Sequence, residues 1–202
     1  VDLEIKKGEI VSIVGKSGSG KTTLIEKIVS ELKSRNYLVA TIKHDVHGFE
    51  IDHPGKDSYR HKHAGAFLSI ISSPKQIAII KDTNRDHEID EIASKYITDV
   101  DLIITEGYKR NNKQKIEVHR KDVHSEVLCG ENDNVLAFAT DEKLDVGSPQ
   151  YNINDANGLV DLIESNVLKQ SANDKVILTV DGKVISLKPF LDDMLTNSIT
   201  GL

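Results

Sequence analysis

The residues Gly15-Lys16-Ser17-Gly18-Ser19-Gly20-Lys21-Thr22 spell G-x-x-x-x-G-K-[ST] in full. Glycines at these spacings let backbone N–H groups turn inward around phosphate oxygens, and a helix starting near Lys21 adds its positive dipole end. In such a P-loop Lys21 reaches the β- and γ-phosphates and the Thr22 hydroxyl ligates Mg²⁺. The plain alternative is a glycine-rich turn without a ligand. It is disfavoured because the motif falls between the apolar run Ile10 to Val14 and a helical pattern from Lys21 to Arg35, the context a P-loop requires. The base is open between ATP and GTP. Asn112-Lys113-Gln114-Lys115 lacks the aspartate of the [NT]-K-x-D guanine signature. Asp141, after the strand pattern Val135 to Ala139, is a candidate acceptor for the guanine N1–H and N2–H₂ donors, although a turn-forming Asp-Glu pair explains it equally well.

A triphosphate site also needs a carboxylate for magnesium at the end of a neighbouring buried strand. Leu102-Ile103-Ile104-Thr105-Glu106-Gly107 supplies Glu106, with Gly107 allowing close backbone approach, and Asp101 is expected at the opposite end of that strand. The strand Tyr37 to Lys43 leads into His44-Asp45-Val46-His47, placing polar groups where ligands bind in open α/β sheets. His44 and His47 are read as hydrogen-bonding groups near the phosphates or a bound anion, and Asp45 as a holder of a magnesium-bound or attacking water. The stretch from Asp52 to Arg60, with Lys56 and Asp57, reads as a loop that folds over the γ-phosphate or an acceptor, or as a mobile polar loop. Histidines 44, 47, 53, 61 and 63 match no zinc spacing, and the histidine-rich stretch is not read as a structural metal site.

The elements needed to position these groups are legible as short β-branched runs alternating with helical stretches, which predicts parallel strands joined by crossover helices. Further strands are expected at Ala66 to Ile71, Gln76 to Ile80, Asp101 to Thr105 and Ile116 to Val118, and helices at Glu88 to Tyr96 and Gly158 to Leu168. The fold class is therefore α/β, a P-loop NTPase-type three-layer fold with a mostly parallel sheet. Residues 1–169 form the nucleotide-binding domain. Residues 174–202 form an appendage, in which Asp181-Gly182 signals a β-hairpin and Pro189 to Leu195 a short helix. The 202 residues carry a net charge of −6, which disfavours nucleic acid or an anionic membrane as partner. One cysteine, no membrane-length apolar run and no signal-peptide layout predict a cytoplasmic protein.

Four groups of residues together resemble the molybdopterin-guanine dinucleotide biosynthesis protein B (MobB) family. They are Gly15 to Thr23, Lys43-His44-Asp45-Val46-His47, Asp52 to Arg60 with Ala64-Gly65-Ala66, and Thr105-Glu106-Gly107-Tyr108-Lys109. Lys115 to Arg120 and Ser148 to Asp155 are similar too, so the resemblance runs from about Ile10 to Leu168. It implies a GTP-binding protein with weak, Mg²⁺-dependent GTPase activity. It also implies a homodimer assisting the guanylyltransferase that attaches GMP to molybdopterin to form the guanine dinucleotide. Gly18 to Thr23 would bind phosphates, Thr22 and Glu106 would serve Mg²⁺, and Asp45, Asp52, Lys56, Asp57 and Arg60 would lie around the γ-phosphate or the pterin-side partner surface. Lys16 occupies the position of the signature lysine of dimeric P-loop ATPases. Gln114 departs from the proline expected before Lys115, and the C-terminal extension is outside the common core. Two other functions share the P-loop: a small-molecule kinase with Asp57 or Asp45 as base, and a GTPase metallochaperone using the histidines.

Overall fold

The computed structural model describes residues 9–130 and 132–168 in full, together with the backbone of 2–5, 176–180 and 183–185. By its internal contacts the chain divides into two compact units, Val1–His44 with Ile92–Leu202, and Asp45–Glu91.

In the first unit, a six-stranded sheet runs in the order β3-β6-β2-β7-β8-β9. Its members are β2 (Glu9–Val14), β3 (Val39–Lys43), β6 (Leu102–Glu106), β7 (Gln114–His119), β8 (Val135–Thr140) and β9 (Gln150–Asn152). Every neighbouring pair is parallel. Parallel pairing forces crossovers, and the helix α1 (Lys21–Ser34) makes the first of them. The expected helix Glu88 to Tyr96 exists as α3 (Ile89–Tyr96), and the expected helix Gly158 to Leu168 as α4 (Ala156–Ile163), capped by the Asp155 carboxylate on the Gly158 N–H and continuing as a π-helical turn, Glu164–Leu168.

Strand alternation sorts the two faces of this sheet. One face presents Val11, Ile13, Leu102, Ile104, Ile116, Val118, Ala137 and Ala139 to Leu24, Ile28 and Leu32 of α1 and Leu159, Val160 and Ile163 of α4, a single apolar core. Of the residues alternating with them, Ile103 and Phe138 are buried and apolar, whereas Ser12, Thr105, Lys115, Glu117, His119 and Thr140 are buried and polar. Burial without partners would cost several kcal/mol each, on the order of 2–7; each of the six has at least one partner, and His119 Nδ1 is buried without one. The Glu117 carboxylate accepts the Leu128 and Cys129 backbone N–H groups at 2.7 and 2.8 Å. Lys115 Nζ donates to the Asn111 carbonyl at 2.6 Å and pairs with Asp133 at 3.2 Å. His119 Nε2 lies 3.1 Å from Glu142.

The strands β10 (Val176–Val180) and β11 (Lys183–Ile185) pair antiparallel with Val180 opposite Lys183, the register of a two-residue hairpin. They are joined by β1 (Asp2–Ile5), which pairs antiparallel with β10 and was not expected from the sequence. The turn residues Asp181 and Gly182 and the helix expected at Pro189 to Leu195 lie outside the described residues.

The second unit contains α2 (Asp57–His63) and an antiparallel pair, β4 (Leu68–Ser72) with β5 (Ile77–Lys81). Two expectations are corrected here. The Ala66 to Ile71 and Gln76 to Ile80 runs are strands but form a hairpin, because the Ser73 to Gln76 turn is far too short for a parallel crossover. Their isoleucines are largely exposed, Ile70 at 56% and Ile79 at 52%. The polar stretch ending at Arg60 is not a loop throughout, since Asp57 opens α2, with an acidic first turn and a last turn of Arg60, His61, Lys62 and His63 that suit the helix dipole.

Candidate nucleotide-binding site

The loop from Gly15 to Gly20 leaves the carboxyl end of β2, the strand at the centre of the first unit's sheet, and feeds directly into α1. Gly15 is required sterically: a Cβ there would meet the Val118 carbonyl at 2.6 Å and Ser19 Oγ at 2.7 Å. Gly18 and Gly20 take φ of 81° and 93°, the left-handed region that curls the amides inward. The N-terminus of α1 has no side-chain cap and no acidic residue in its first turn. Its free N–H groups are therefore available to an anion. Ser19 Oγ is buried in the loop with no hydrogen-bond partner.

Lys21 folds back to donate to the Lys16 carbonyl at 2.8 Å, holding its ammonium over the loop. Burial lowers the pKa of Lys21 from its ordinary value, Glu106 opposes that shift, and Lys43 adds to it. The Lys16 side chain itself is exposed. Thr22 Oγ1 donates to Glu106, 3.2 Å from each carboxylate oxygen. Glu106 ends β6 at the same edge as the loop, while Asp101 lies before the start of β6 and accepts the Leu38 N–H at 2.8 Å. Gly107, with φ of 101°, lies so close to His44 that a Cβ would sit 3.2 Å from the His44 Cβ. The His44 ring stacks on Tyr108 at 4.5 Å, and the His44 backbone N–H donates to the Glu106 carbonyl.

The structure thus brings together Gly15, Lys16, Ser17, Gly18, Ser19, Gly20, Lys21, Thr22, Thr23, His44, Glu106 and Gly107 at the carboxyl ends of β2, β3 and β6. Asp141 lies at the end of β8, where its carboxylate accepts the Lys121 N–H at 3.1 Å and Arg120 Nε at 3.2 Å. The Lys121 N–H holds the carboxyl of Asp141 below its usual range, against the opposing effect of burial. Asp45, Asp52, Lys56, Asp57 and Arg60 belong to the second unit. There Asp52, His53, Lys56, Asp57 and His61 line a cleft with Ser69 to Ser72, Asp52 Oδ2 is buried without a hydrogen bond, and Arg60 faces Asp57 at 3.5 Å. Asp45 accepts the His47 N–H. Among the described residues no three His, Cys, Asp or Glu side chains converge as metal ligands.

A second feature of the first unit had no local signal in the sequence. Gly20, Thr23, Lys27, Arg120, Ile153 and Asn154 enclose a cleft of about 140 Å³ beside the first turn of α1. Arg120 follows β7 and Asn154 follows β9, so only the strand order reveals that they meet.

A parallel sheet with a complete P-loop at its central strand, and a carboxylate from the adjacent strand against the P-loop threonine, defines a P-loop nucleotide-binding protein. A family model described as molybdopterin guanine dinucleotide synthesis protein B matches residues 10–141, and the chain belongs to this MobB family. It is 36% identical to the molybdopterin-guanine dinucleotide biosynthesis adapter protein of Haemophilus influenzae, covering 77% of this chain and 88% of that one. It is 35% identical to the adapter protein of Escherichia coli, over 77% of this chain and 91% of the other. A crystal structure of molybdopterin-guanine biosynthesis protein B superposes with a TM-score of 0.61 at 29% identity, covering 77% of this chain and 97% of that one. Among the described residues no helix is long and apolar enough to cross a membrane.

Proposed function

We propose that this chain is a GTP-binding adapter in molybdenum cofactor biosynthesis, assisting the conversion of molybdopterin to molybdopterin-guanine dinucleotide. The observation that carries the nucleotide half is the Thr22–Glu106 contact beside Lys21 and the uncapped start of α1. The pathway half rests on the adapter proteins that the chain resembles over more than three quarters of its length. Thr22 and Glu106 offer a hydroxyl and a carboxylate, the hard oxygen donors Mg²⁺ accepts. When bound there, Mg²⁺ would neutralise charge on the β- and γ-phosphates. Lys21 would hold the same oxygens, and the amides from Gly18 to Thr23 would bind the remaining phosphate edges.

Hydrolysis in this reading is slow and times the handover of product, and the partner is the guanylyltransferase that joins GMP to molybdopterin, with the adapter acting as a homodimer. Titration calorimetry with non-hydrolysable GTP and ATP analogues in Mg²⁺ buffer tests the nucleotide, and clear preference for GTP is expected. Preference for ATP would move the small-molecule kinase to first place. Added to a guanylyltransferase assay, the protein should raise the yield of guanine dinucleotide; an unchanged yield would remove the adapter role.

A further inference from the structure

The chain leaves β6 at Glu106 and enters β7 at Gln114, yet these strands are not neighbours, because β2 lies between them. Both run parallel to β2, with Glu106 beside Ile13 and Gln114 beside Val11. The connection must therefore double back across β2, and residues 107–113 do so without a helix. They cross the polar face of the sheet, where Asn111 Nδ2 donates to the buried Ser12 Oγ at 2.9 Å.

This crossover is tied down along its length. The Asn111 N–H donates to the Tyr108 carbonyl at 3.1 Å, Asn111 Oδ1 accepts the Lys113 N–H at 2.9 Å, and the Asn111 carbonyl accepts Lys115 Nζ at 2.6 Å. Tyr108 stacks on His44 and holds a φ of 51°, a left-handed conformation that a bulky residue keeps only where its surroundings impose it. A backbone fixed in this way presents its side chains to a partner at little further ordering cost.

What it presents is positive charge. Residues 107–115 include Lys109, Arg110, Lys113 and Lys115 and no carboxylate, in a chain of net charge −6. Lys115 is spent internally on Asp133. Lys109 and Arg110 are exposed, and neither makes a hydrogen bond or ion pair among the described residues. Two more exposed cations border the phosphate loop: Lys16 within it, and Lys43 at the end of β3, whose charge is felt by Lys21.

We infer that Lys109 and Arg110, carried on this rigid crossover, dock an acidic surface of the guanylyltransferase. The inference rests on the adapter reading above and gives that partner its place on the chain. Neither residue lines either of the two clefts. Long exposed cations outside a pocket suit the polar rim of a protein interface rather than an enclosed small ligand. Opposite charge across such a rim steers encounter and fixes orientation. Glu106 and Gly107 directly precede the crossover, so a partner seated on it lies beside the triphosphate end of the site.

The experiment measures binding of the full chain to purified guanylyltransferase by biolayer interferometry at low and high salt. The double variant Lys109→Glu, Arg110→Glu is compared with Lys33→Glu, Lys95→Glu, which makes the same change of net charge at exposed positions on α1 and α3. The first should weaken the partner about tenfold or more at low salt, chiefly through slower association, with a smaller difference at high salt. The second should bind the partner as the parent does. Calorimetry should show both variants binding a non-hydrolysable GTP analogue and inorganic tripolyphosphate like the parent, which also reports an intact fold. Equal effects of the two double variants on the partner, whether none or a shared loss, overturn the docking surface while the adapter reading stands on the parent's binding. A loss of tripolyphosphate binding in the first variant assigns its cations to the phosphates instead and likewise overturns the docking surface. A parent that does not bind the guanylyltransferase removes the adapter reading, and this inference with it.

Discussion

The Thr22 hydroxyl stands 3.2 Å from each carboxylate oxygen of Glu106, a pairing across 84 residues of sequence. It depends on β6 lying directly beside β2, so that the end of one strand meets the first helical turn after the other. The contact holds both metal-ligand candidates side by side at the phosphate loop.

Glu106→Gln preserves size and removes charge. The Mg²⁺ concentration needed for half-maximal nucleotide binding should rise at least about tenfold, since Mg²⁺ favours anionic oxygen donors. Asp101→Ala should leave the Mg²⁺ requirement alone and cost about 1 kcal/mol in urea unfolding, from loss of the acceptor for the Leu38 N–H. The reverse order of effects would exchange the two assignments.

At Gly15 any side chain would strike the Val118 carbonyl, a backbone atom that cannot swing away. Gly15→Ala should therefore lower stability by about 1–3 kcal/mol and abolish tight triphosphate binding, because the loop must move off the β7 strand. Calorimetry showing parental affinity in this variant would refute the steric argument.

Glu117 holds the segment around Cys129 to the polar face of the sheet through two short hydrogen bonds. Glu117→Ala strands two donors, each costing about 1–3 kcal/mol. The urea midpoint should fall accordingly, while nucleotide affinity in the folded fraction stays level. A shift below about 1 kcal/mol would mean that water replaces the carboxylate.

Cys129 provides a pH dependence with a definite sign. Burial, then the neighbouring Glu117 charge, pushes its thiol from 9.0 up to about 12. Its contribution is complete below the unfolded value near 9 and is lost as pH rises through the folded value, because the unfolded chain releases the proton first. Stability measured between pH 9 and 12 should fall more steeply in the parent than in Cys129→Ala. At pH 8 a thiol reagent should label the protein only in denaturant; rapid labelling of native protein would contradict the burial.

Much of this was legible from local pattern. The phosphate loop is contiguous, and the strand Glu9–Val14 and helix Lys21–Ser34 that frame it follow from a β-branched run and an i, i+3, i+4 repeat. Lys115, Glu117 and His119 were not legible as core residues. Their types are ordinarily exposed, and the groups that make burial tolerable come from Asn111, Leu128, Cys129, Asp133 and Glu142 in loops on either side. The exposed apolar runs of β4 and β5 misled in the opposite sense, since an isoleucine-rich strand reads as buried whether or not anything covers it.

By itself the sequence determined that a complete phosphate-loop motif, Gly15 to Thr22, stands between a strand and a helix, and that Glu106 ends an apolar strand, because both are encoded in short contiguous segments. Tertiary structure alone decided which side of β2 each group occupies. Strand order is set by the packing of whole faces, and it placed Glu106 on one flank and Arg120, Asp141 and Asn154 on the other.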